Sequence, residues 1–339
     1  MVAKILPDRG GPIEGMGEFD LIDRIRRITG PSSALMGIGD DAAVIDLGGP
    51  EVLLATVDMQ VQNVHFGIEQ YAPADLGRRA VAVNLSDIAA MGGTPRHVLV
   101  SLALPPDIPA TWVEELYQGM ATEAGDWDAD IIGGNISRIQ GPICVDVIIL
   151  GSVPPGEVVP RSGGRPGDLL AVTGSLGNAA ALRSAVEHAL DLDDLASPEW
   201  IASAASVHPR VREGRVLAGL HLAHAMLDLS DGLAGDLQHL CRASGVGAEI
   251  DARRLPIDDQ VWSIAAALGL DALDLAISGG EDYELLIALG SQDAEAACEA
   301  LASVGLHVIG RLEPAAHGIT LLDWTGRRHS MPPSGWTHF

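Results

Sequence analysis

Two spacings of hydrophobic residues alternate along the chain. Apolar residues three or four positions apart, as at Leu21, Ile25 and Ile28, predict an α-helix that ends at Gly30-Pro31. Short β-branched runs predict strands, and these runs interleave with Ala-rich helical segments in both halves of the chain. We therefore expect an α/β or α+β protein with mixed sheets.

The predicted elements form two series. In the first half we predict strands at 43–46 and 52–58, a helix at 75–91, a strand at 97–104, a helix led by Pro109, and paired strands near 130–133 and 143–153. In the second half we predict a strand at 169–173, helices at 176–189 and 198–220, strands at 225–229, 248–251 and 283–289, helices from 231 and around 258–268, and, after a further helix, two final short strands.

A stretch rich in turn residues, from Pro154 to Gly167, is the predicted boundary between two domains. The length of 339 residues also predicts about two domains. We predict a flexible N-terminal extension at 1–15, an N-terminal domain at 16–155 and a C-terminal domain at 161–339.

The charge balance narrows the possible chemistry. The chain has 21 Lys and Arg against 46 Asp and Glu, a formal net charge of −25, and Lys4 is its single lysine. This composition argues against mechanisms that need a buried lysine, such as those of P-loop proteins, protein kinases and pyridoxal phosphate enzymes. It also argues against general nucleic-acid binding, which depends on clustered Lys and Arg.

The sequence predicts neither a membrane span nor an export signal. The longest apolar runs, 98–104 and 145–150, are far shorter than the roughly 20 residues of a membrane helix, and no apolar stretch of signal-peptide length follows the N-terminus. Cys144, Cys241 and Cys298 fit neither a disulfide framework nor a C-x-x-C metal site. We therefore expect a soluble, cytoplasmic protein.

The most informative residues are acids that lie beside small residues. Asp40 and Asp41 follow a glycine-containing turn, and two adjacent carboxylates repel each other unless a cation lies near them. An exposed turn or a helix cap is the alternative interpretation. Asp58 follows an apolar run, which places it at the C-terminal edge of a sheet, where ligands of open α/β sheets bind. His65, a few residues later, is either a substrate contact or a structural residue.

Asn84 and Asp87 form the most unusual pair, spaced i, i+3 on one face of an otherwise apolar helix. A carboxylate on the core side is costly unless it is paired or bound to a metal. We favour a metal as the partner, because the nearest arginines, Arg78, Arg79 and Arg96, are expected at helix ends. Capping by backbone donors stays open as the alternative.

Acids also lie at two later junctions between elements. Asp228 ends a predicted strand, Ser230 is placed to cap the next helix, and Asp231 begins that helix. Such a junction can bind a phosphate or a metal-bridged phosphate, although a plain helix cap is the alternative. Glu281 lies in a glycine-hinged acidic loop that leads into a strand.

Dispersed aspartates without a histidine or cysteine cluster favour a hard ion with oxygen ligands. Mg²⁺ is held in proteins by one or two carboxylates, while substrate phosphates complete its coordination. Zinc is disfavoured, because the histidines and cysteines show no ligand spacing. The chain also has no G-x-S-x-G, G-x-G-x-x-G or H-E-x-x-H motif, which argues against the common nucleophile, dinucleotide and zinc-protease sites.

Nine colinear motifs extend from about residue 17 to the C-terminus. They are G-E-F-D-L-I, G-I-G-D-D-A-A, T-V-D…V-H-F, A-V-N-L-S-D-I-A-A-M-G-G-T-P-R, I-I-G-G-N, R-S-G-G-R-P-G-D-L-L-A-V-T-G, D-L-S-D-G-L, S-G-G-E-D-Y-E-L and G-W-T-H-F. In this order and spacing they resemble the thiamine-monophosphate kinase family of the AIR synthase-like (PurM-like) superfamily. The resemblance implies a PurM-like two-domain fold, a homodimer whose N-terminal domains form a β-barrel-like interface, and a C-terminal α/β domain.

The resemblance also implies a reaction, the ATP-dependent phosphorylation of thiamine monophosphate to thiamine diphosphate with several Mg²⁺ ions. Because the acceptor is a phosphate oxygen that is already anionic at neutral pH, we expect direct in-line transfer without a phosphoenzyme. Carried over by position, the resemblance implies three sets of site residues. The metal set is Asp41, Thr56, Asp58, Asp87, Asn135, Asp228 and Asp231; the ATP set is Tyr117, Gly134, Asn135, Arg161 and Ser230; and the substrate set is His65, Glu281 and Trp336.

The chain departs from the family pattern at three places. Asn135 stands where the family usually has an aspartate, Val57 where a second hydroxyl residue is common, and Gln62-Asn63 in place of Glu-Gly. An amide carbonyl can still bind Mg²⁺, but one negative charge is lost. Our hypothesis is an active kinase with an altered metal demand. Two alternatives stay open: another ATP-dependent enzyme of this superfamily that acts on a different phosphate, and a nucleotide-binding protein without catalysis.

Overall fold

The computed structural model describes residues 18–30 and 32–331. Within them, ten α-helices and twelve β-strands alternate as a mixed α/β fold, which confirms the predicted fold class. The helices are α1 (Glu18–Thr29), α2 (Pro73–Ala90), α3 (Ala110–Asp126), α4 (Asn178–Glu187), α5 (Pro198–Ala204), α6 (Val211–Gly219), α7 (Leu233–Ser244), α8 (Asp259–Leu268), α9 (Ala272–Ser278) and α10 (Ala294–Ala300). The strands are β1 (Ala43–Ile45), β2 (Val52–Val61), β3 (Thr94–Leu104), β4 (Asp130–Arg138), β5 (Cys144–Val153), β6 (Leu169–Thr173), β7 (Ala223–Asp228), β8 (Val246–Asp251), β9 (Leu285–Leu289), β10 (Leu306–Pro314), β11 (Ile319–Leu322) and β12 (Arg328–Ser330). The predicted extension at 1–15 and Trp336 lie outside the described residues.

The first sheet has five strands in the order β1-β2-β5-β3-β4. Strand β5 pairs antiparallel with β2 and β3, whereas β4 pairs parallel with β3. The prediction that the strands near 130–133 and 143–153 pair with each other is therefore wrong, because β3 lies between β4 and β5. The 17-residue helix α3 connects β3 to β4, and a parallel pair requires a crossover of that kind.

Helices α2 and α3 pack closely against each other. A Cβ atom at Gly77 would lie 2.0 Å from the carbonyl oxygen of Leu116, and one at Gly119 would lie 1.8 Å from that of Ala74. This close approach needs glycine on both helices. It holds α2, most of which is buried, in a fixed position beside β2 and β5.

The other side of the first sheet is more exposed, and we call it the open face. Residues of β5 alternate between buried, on the helix side, and half-buried, on the open face. The cross-strand register places the following residues of β2 to β5 on the open face: Val57, Met59, Leu99, Ser101, Asn135, Asp146 and Ile148.

The second sheet has seven strands in the order β12-β11-β8-β10-β6-β9-β7. Strands β8 and β11 are parallel, and the other described pairs in this sheet are antiparallel. Three strands, β10 to β12, follow α10 among the described residues, so the prediction of two final short strands is wrong. Strand β10 has nine residues and a register shift between Val308 and Gly310, which interrupts the alternation by which a strand is identified in sequence.

The two sheets share one apolar core. A single buried cluster joins residues of both halves, among them Ala89, Ile149, Leu217, Met226 and Ile287. Helix α2 contacts α6 and β7 directly, so the acidic segments of the two halves meet at this junction. Among the described residues no single helix is long and apolar enough to cross a membrane; α8 and α9 meet that criterion only when combined, and they are bent by 114°.

Candidate active site at the junction of the two sheets

Three aspartates from different parts of the chain meet at this junction. Asp41 precedes β1, Asp87 lies in the last turns of α2, and Asp228 is the last residue of β7. One carboxylate oxygen of each lies within 4.8 Å of the others. We call these three residues the aspartate cluster.

Strand β2 supplies the neighbours of this cluster. The Thr56 hydroxyl donates a hydrogen bond to Asp87 Oδ2, and the Asp58 backbone N–H donates to Asn84 Oδ1 at 2.9 Å. We predicted that Asp58 ends its strand, and this is wrong, because β2 continues to Val61. Strand β1 pairs only with residues 53–55, so the outer edge of β2 beyond them is open to the side chains of α2.

Arg161 contacts both Asp40 and Asp41. Its Nη2 donates to Asp41 Oδ1, and its backbone N–H donates to Asp40 Oδ1 at 3.2 Å. Asp41 Oδ2 is buried and has no hydrogen-bond partner among the described residues. Burial and then the adjacent Asp41 charge raise the pKa of Asp40 to about 7, although Arg161 opposes this change.

Burial and mutual repulsion act on the cluster itself. Burial, followed by the charges of Asp58, Asp228 and Asp41, raises the pKa of Asp87 well above its usual range, while the Thr56 hydrogen bond lowers it. Burial and then Asp41 raise the pKa of Asp228 to about 7. These carboxylates are therefore hard to ionise together without an added positive charge.

A second group of possible ligands lies at the start of α7 and in the segment just before it. Single ligand atoms of Asp231, Asp236 and His239 lie within 4.8 Å of one another. Burial, then Asp231 and Asp228, raises the pKa of Asp236 well above its usual range. Burial, then Arg161 and Arg242, lowers the pKa of His239 to about 4, so its imidazole is neutral at pH 7.

Sequence reasoning missed Asp236 and His239. Their i, i+3 spacing was the available signal, but the same spacing is common on solvated helices. Both residues belong to α7, which begins at Leu233 and not at Asp231 as predicted. Gly232 is the N-cap residue, with φ 103° and no side-chain cap, so Ser230 does not cap this helix.

The predicted substrate residues lie on two segments. Glu281 binds Arg79 of α2 through Oε1 and the Nη1 of Arg183 through Oε2, the latter at 2.8 Å. The Nδ1 of His65 accepts a hydrogen bond from the Val61 backbone N–H at 3.0 Å. Because Nδ1 is the acceptor, the neutral imidazole carries its proton on Nε2.

The predicted ATP residues lie on several different elements of the chain. Tyr117 is half-buried on α3, and burial raises its pKa. Gly134 and Asn135 lie on the exposed edge strand β4, where Asn135 Nδ2 donates to Ser137 Oγ at 3.2 Å. Three inter-strand spacings, about 14 Å, separate β4 from β2, so Asn135 does not reach the aspartate cluster of its own chain.

A cavity of about 680 Å³ opens beside the N-terminal half of α2. Tyr71, Arg79, Trp127, His208 and Arg210 are among its lining residues. Of the residues that the sequence predicted for the site, none lines this cavity, so it is separate from the aspartate cluster.

Family models and known proteins resemble the chain over most of its length. The models of the AIR synthase related protein match its N-terminal domain at residues 39–153 and its C-terminal domain at residues 165–322. The thiamine-monophosphate kinase of Escherichia coli K12 is 35% identical over 94% of this chain and 99% of its own length. That of Mycobacterium tuberculosis H37Rv is also 35% identical, over 96% and 93%. The solved structure of AaThiL complexed with AMPPCP and TMP superposes with a TM-score of 0.84 and 30% identity, over 97% of this chain and 99% of that one.

Proposed function

The chain belongs to the thiamine-monophosphate kinase family of the AIR synthase related proteins, and we propose that it transfers the γ-phosphoryl group of ATP to thiamine monophosphate. The main support for this proposal is the aspartate cluster at the junction of the two sheets, in a fold that matches a relative solved with AMPPCP and TMP. Membership of this family makes the chain a kinase, and the proposal concerns its substrates, its metal ions and its mechanism.

The donor set of the cluster fits Mg²⁺. Its ligand atoms are hard carboxylate oxygens, and Asp41 Oδ2 is buried without a partner among the described residues. We propose that Asp41, Asp87 and Asp228 hold Mg²⁺, with Asp58, Asp231 and Thr56 beside them. Bound there, the ion would neutralise negative charge on the transferring phosphoryl group.

The chain's own residues position the reactants. An oxygen of the acceptor phosphate forms the new bond to the γ-phosphorus, and the bond between that phosphorus and the bridging oxygen of ADP breaks. The acceptor oxygen is already anionic, so no side chain needs to remove a proton from it. Arg161 is half-buried and held against Asp40 and Asp41, so its positive charge would lie beside the phosphates of ATP. A phosphorylated side chain trapped during turnover would overturn the in-line mechanism.

We also propose that the active form is a homodimer joined through the open faces. Val57 and Met59 of β2 are 57% and 48% exposed, and they would be covered by a second sheet. If the two sheets met with their strand orders reversed, β4 of one chain would lie over β2 of the other. Asn135, which cannot reach the cluster in its own chain, would then approach the partner's metal ligands.

The test is a coupled assay that follows ADP formation. ADP that appears only when ATP, Mg²⁺ and thiamine monophosphate are all present supports the kinase. ADP formed with another phosphate substrate, but not with thiamine monophosphate, would support a different enzyme of the superfamily. Binding of ATP without turnover would support the non-catalytic alternative. We place the reaction in the cytoplasm, where ATP is available as the donor.

A further inference from the structure

We infer that Arg79 is a positioning residue for substrate recognition, which fixes the carboxylate of Glu281 against helix α2. The inference deepens the proposed function and rests on it, because Glu281 belongs to the substrate set. Sequence analysis expected Arg79 at the end of a helix. The structure instead places it inside α2, only 8% exposed and 202 residues from its partner in sequence.

The contacts of Arg79 converge on Glu281. Its Nη2 donates to Glu281 Oε1, and its guanidinium carbon lies 6.0 Å from the ring centroids of both Tyr71 and Tyr283. Its Nε has no hydrogen-bond partner among the described residues. The two rings lie beside the guanidinium group, and its hydrogen bond to Glu281 Oε1 restricts the position of that oxygen.

Glu281 needs such support because its backbone is strained. It has φ 65°, Tyr283 has φ 50°, and side chains rarely adopt this left-handed region. Its backbone N–H donates to the carbonyl oxygen of Ser230 at 2.8 Å, which attaches the loop to the segment that follows Asp228. The side chain is then fixed at both oxygens, by Arg79 from α2 and by Arg183 from α4.

The same helix carries Arg79 and a member of the aspartate cluster. Asp87 follows Arg79 by eight residues, which is about 12 Å along an α-helix. Helix α2 therefore sets the distance between the metal side and the substrate side of the site. Arg183 is 42% exposed, whereas Arg79 is buried within α2, so we assign the positioning to Arg79.

The experiment compares Arg79→Met with Arg78→Met in steady-state kinetics. Arg78 neighbours Arg79 on α2, but its side chain is 41% exposed, and it pairs with exposed Asp126 and with buried Glu123 instead of Glu281. We expect Arg79→Met to raise the KM for thiamine monophosphate by about tenfold or more, as the loss of a charged hydrogen bond predicts, and to change the KM for ATP by less than about twofold. Arg78→Met should change neither.

A double-mutant cycle separates positioning from a structural role. The double variant Arg79→Met/Glu281→Gln should raise the KM for thiamine monophosphate by less than the product of the two single fold-changes. The reason is that both substitutions remove the same contact. Arg79→Lys should recover part of the loss, since the contact uses a single nitrogen. If Arg79→Met does not fold, the cycle is made with Arg79→Lys.

The outcomes distinguish this inference from the proposed function. Additive effects, or equal changes in the KM values of both substrates, would overturn the role of Arg79 while leaving the kinase in place. An unmodified protein that binds ATP but does not phosphorylate thiamine monophosphate would overturn the proposed function, and the inference with it.

Discussion

Buried Glu284 and the buried aspartate cluster differ in how their negative charge is compensated. Glu284, at the start of β9, receives two hydrogen bonds from Arg210 and one from the Thr173 hydroxyl at 2.6 Å. At the aspartate cluster, by contrast, Asp41 pairs with Arg161 and Asp87 accepts a hydrogen bond from Thr56, but no described arginine forms an ion pair with Asp87 or Asp228. Both groups are buried near the junction of the two sheets, so burial alone does not distinguish them.

The difference is in where the compensating charge comes from. A buried carboxylate that is matched by an arginine inside the chain contributes to one defined fold. A set of buried carboxylates without that match is costly until a cation from solution binds. We therefore assign Glu284 to the structure and the aspartate cluster to cation binding and phosphoryl transfer.

The largest expected effect separates activity from stability. Asp87→Asn removes a central carboxylate, and we expect kcat/KM to fall by about a thousandfold, because a ligand of the catalytic ion is lost. The melting temperature of the metal-free variant should stay the same or rise, since repulsion with Asp58 and Asp228 is relieved. Kinetics with saturating Mg²⁺, together with calorimetry in a chelator, measure both. Lower stability with normal turnover would reverse our assignment.

The matching change at the paired site should act on stability instead. Arg210→Met leaves Glu284 buried without its cation, and we expect the free energy of unfolding to fall by about 3 kcal/mol. Arg253→Met is the control, because Arg253 pairs with Asp251 at the surface, where we expect no resolvable change in the free energy of unfolding. Urea denaturation of both variants measures the difference, and equal losses would remove the contrast between buried and exposed pairs.

The pH dependence of stability gives a smaller effect. The pKa of Asp228 is about 7 in the folded chain and about 3.8 when unfolded, so its stabilising effect is complete below pH 3.8 and is lost as the pH rises through 7. The metal-free protein should therefore melt at a lower temperature at pH 8 than at pH 5.5, by a few degrees. Mg²⁺ should raise the melting temperature more at pH 8. A chelated protein that is most stable at pH 8 would contradict this.

The smallest expected effect concerns Asn135. If it approaches the metal ligands of a partner chain, Asn135→Asp restores the charge that the family usually has there. The Mg²⁺ concentration for half-maximal rate should then fall by about two- to fivefold, since a carboxylate binds Mg²⁺ better than an amide. Ile136→Asp, on the opposite face of the same strand and 63% exposed, is the control for charge alone. An unchanged Mg²⁺ requirement in Asn135→Asp would show that Asn135 is not a ligand.

Much of the fold can be predicted from local sequence patterns, and the predictions that were wrong have physical reasons. Short β-branched runs predicted β5, one face of which packs on the core, and the Pro-led, Ala-rich segment predicted α2, most of which is buried. Pairing partners are not encoded locally, so the position of β3 between β4 and β5 was missed. Three strands follow α10 where two were predicted, and in β10 the register shift near Gly310 interrupts the alternation.

The site was predicted where acids stand out against their surroundings. Asp41, Asp87 and Asp228 lie beside small or apolar residues, and the structure brings them together, while their role as ligands stays a prediction. Arg79 was misplaced because its partner lies 202 residues away, which no local spacing reveals. Trp336 lies outside the described residues, so its predicted substrate contact stays a prediction.

The central claim is that the aspartate cluster binds divalent cations. Isothermal titration of Mg²⁺ into the protein with a non-hydrolysable ATP analogue, at pH 8, tests it most directly. The account predicts saturable binding to the unmodified chain that is lost or weakened at least about tenfold in Asp87→Asn and retained in Arg78→Met. Equal binding in Asp87→Asn and the unmodified chain, or no binding to either, would contradict it.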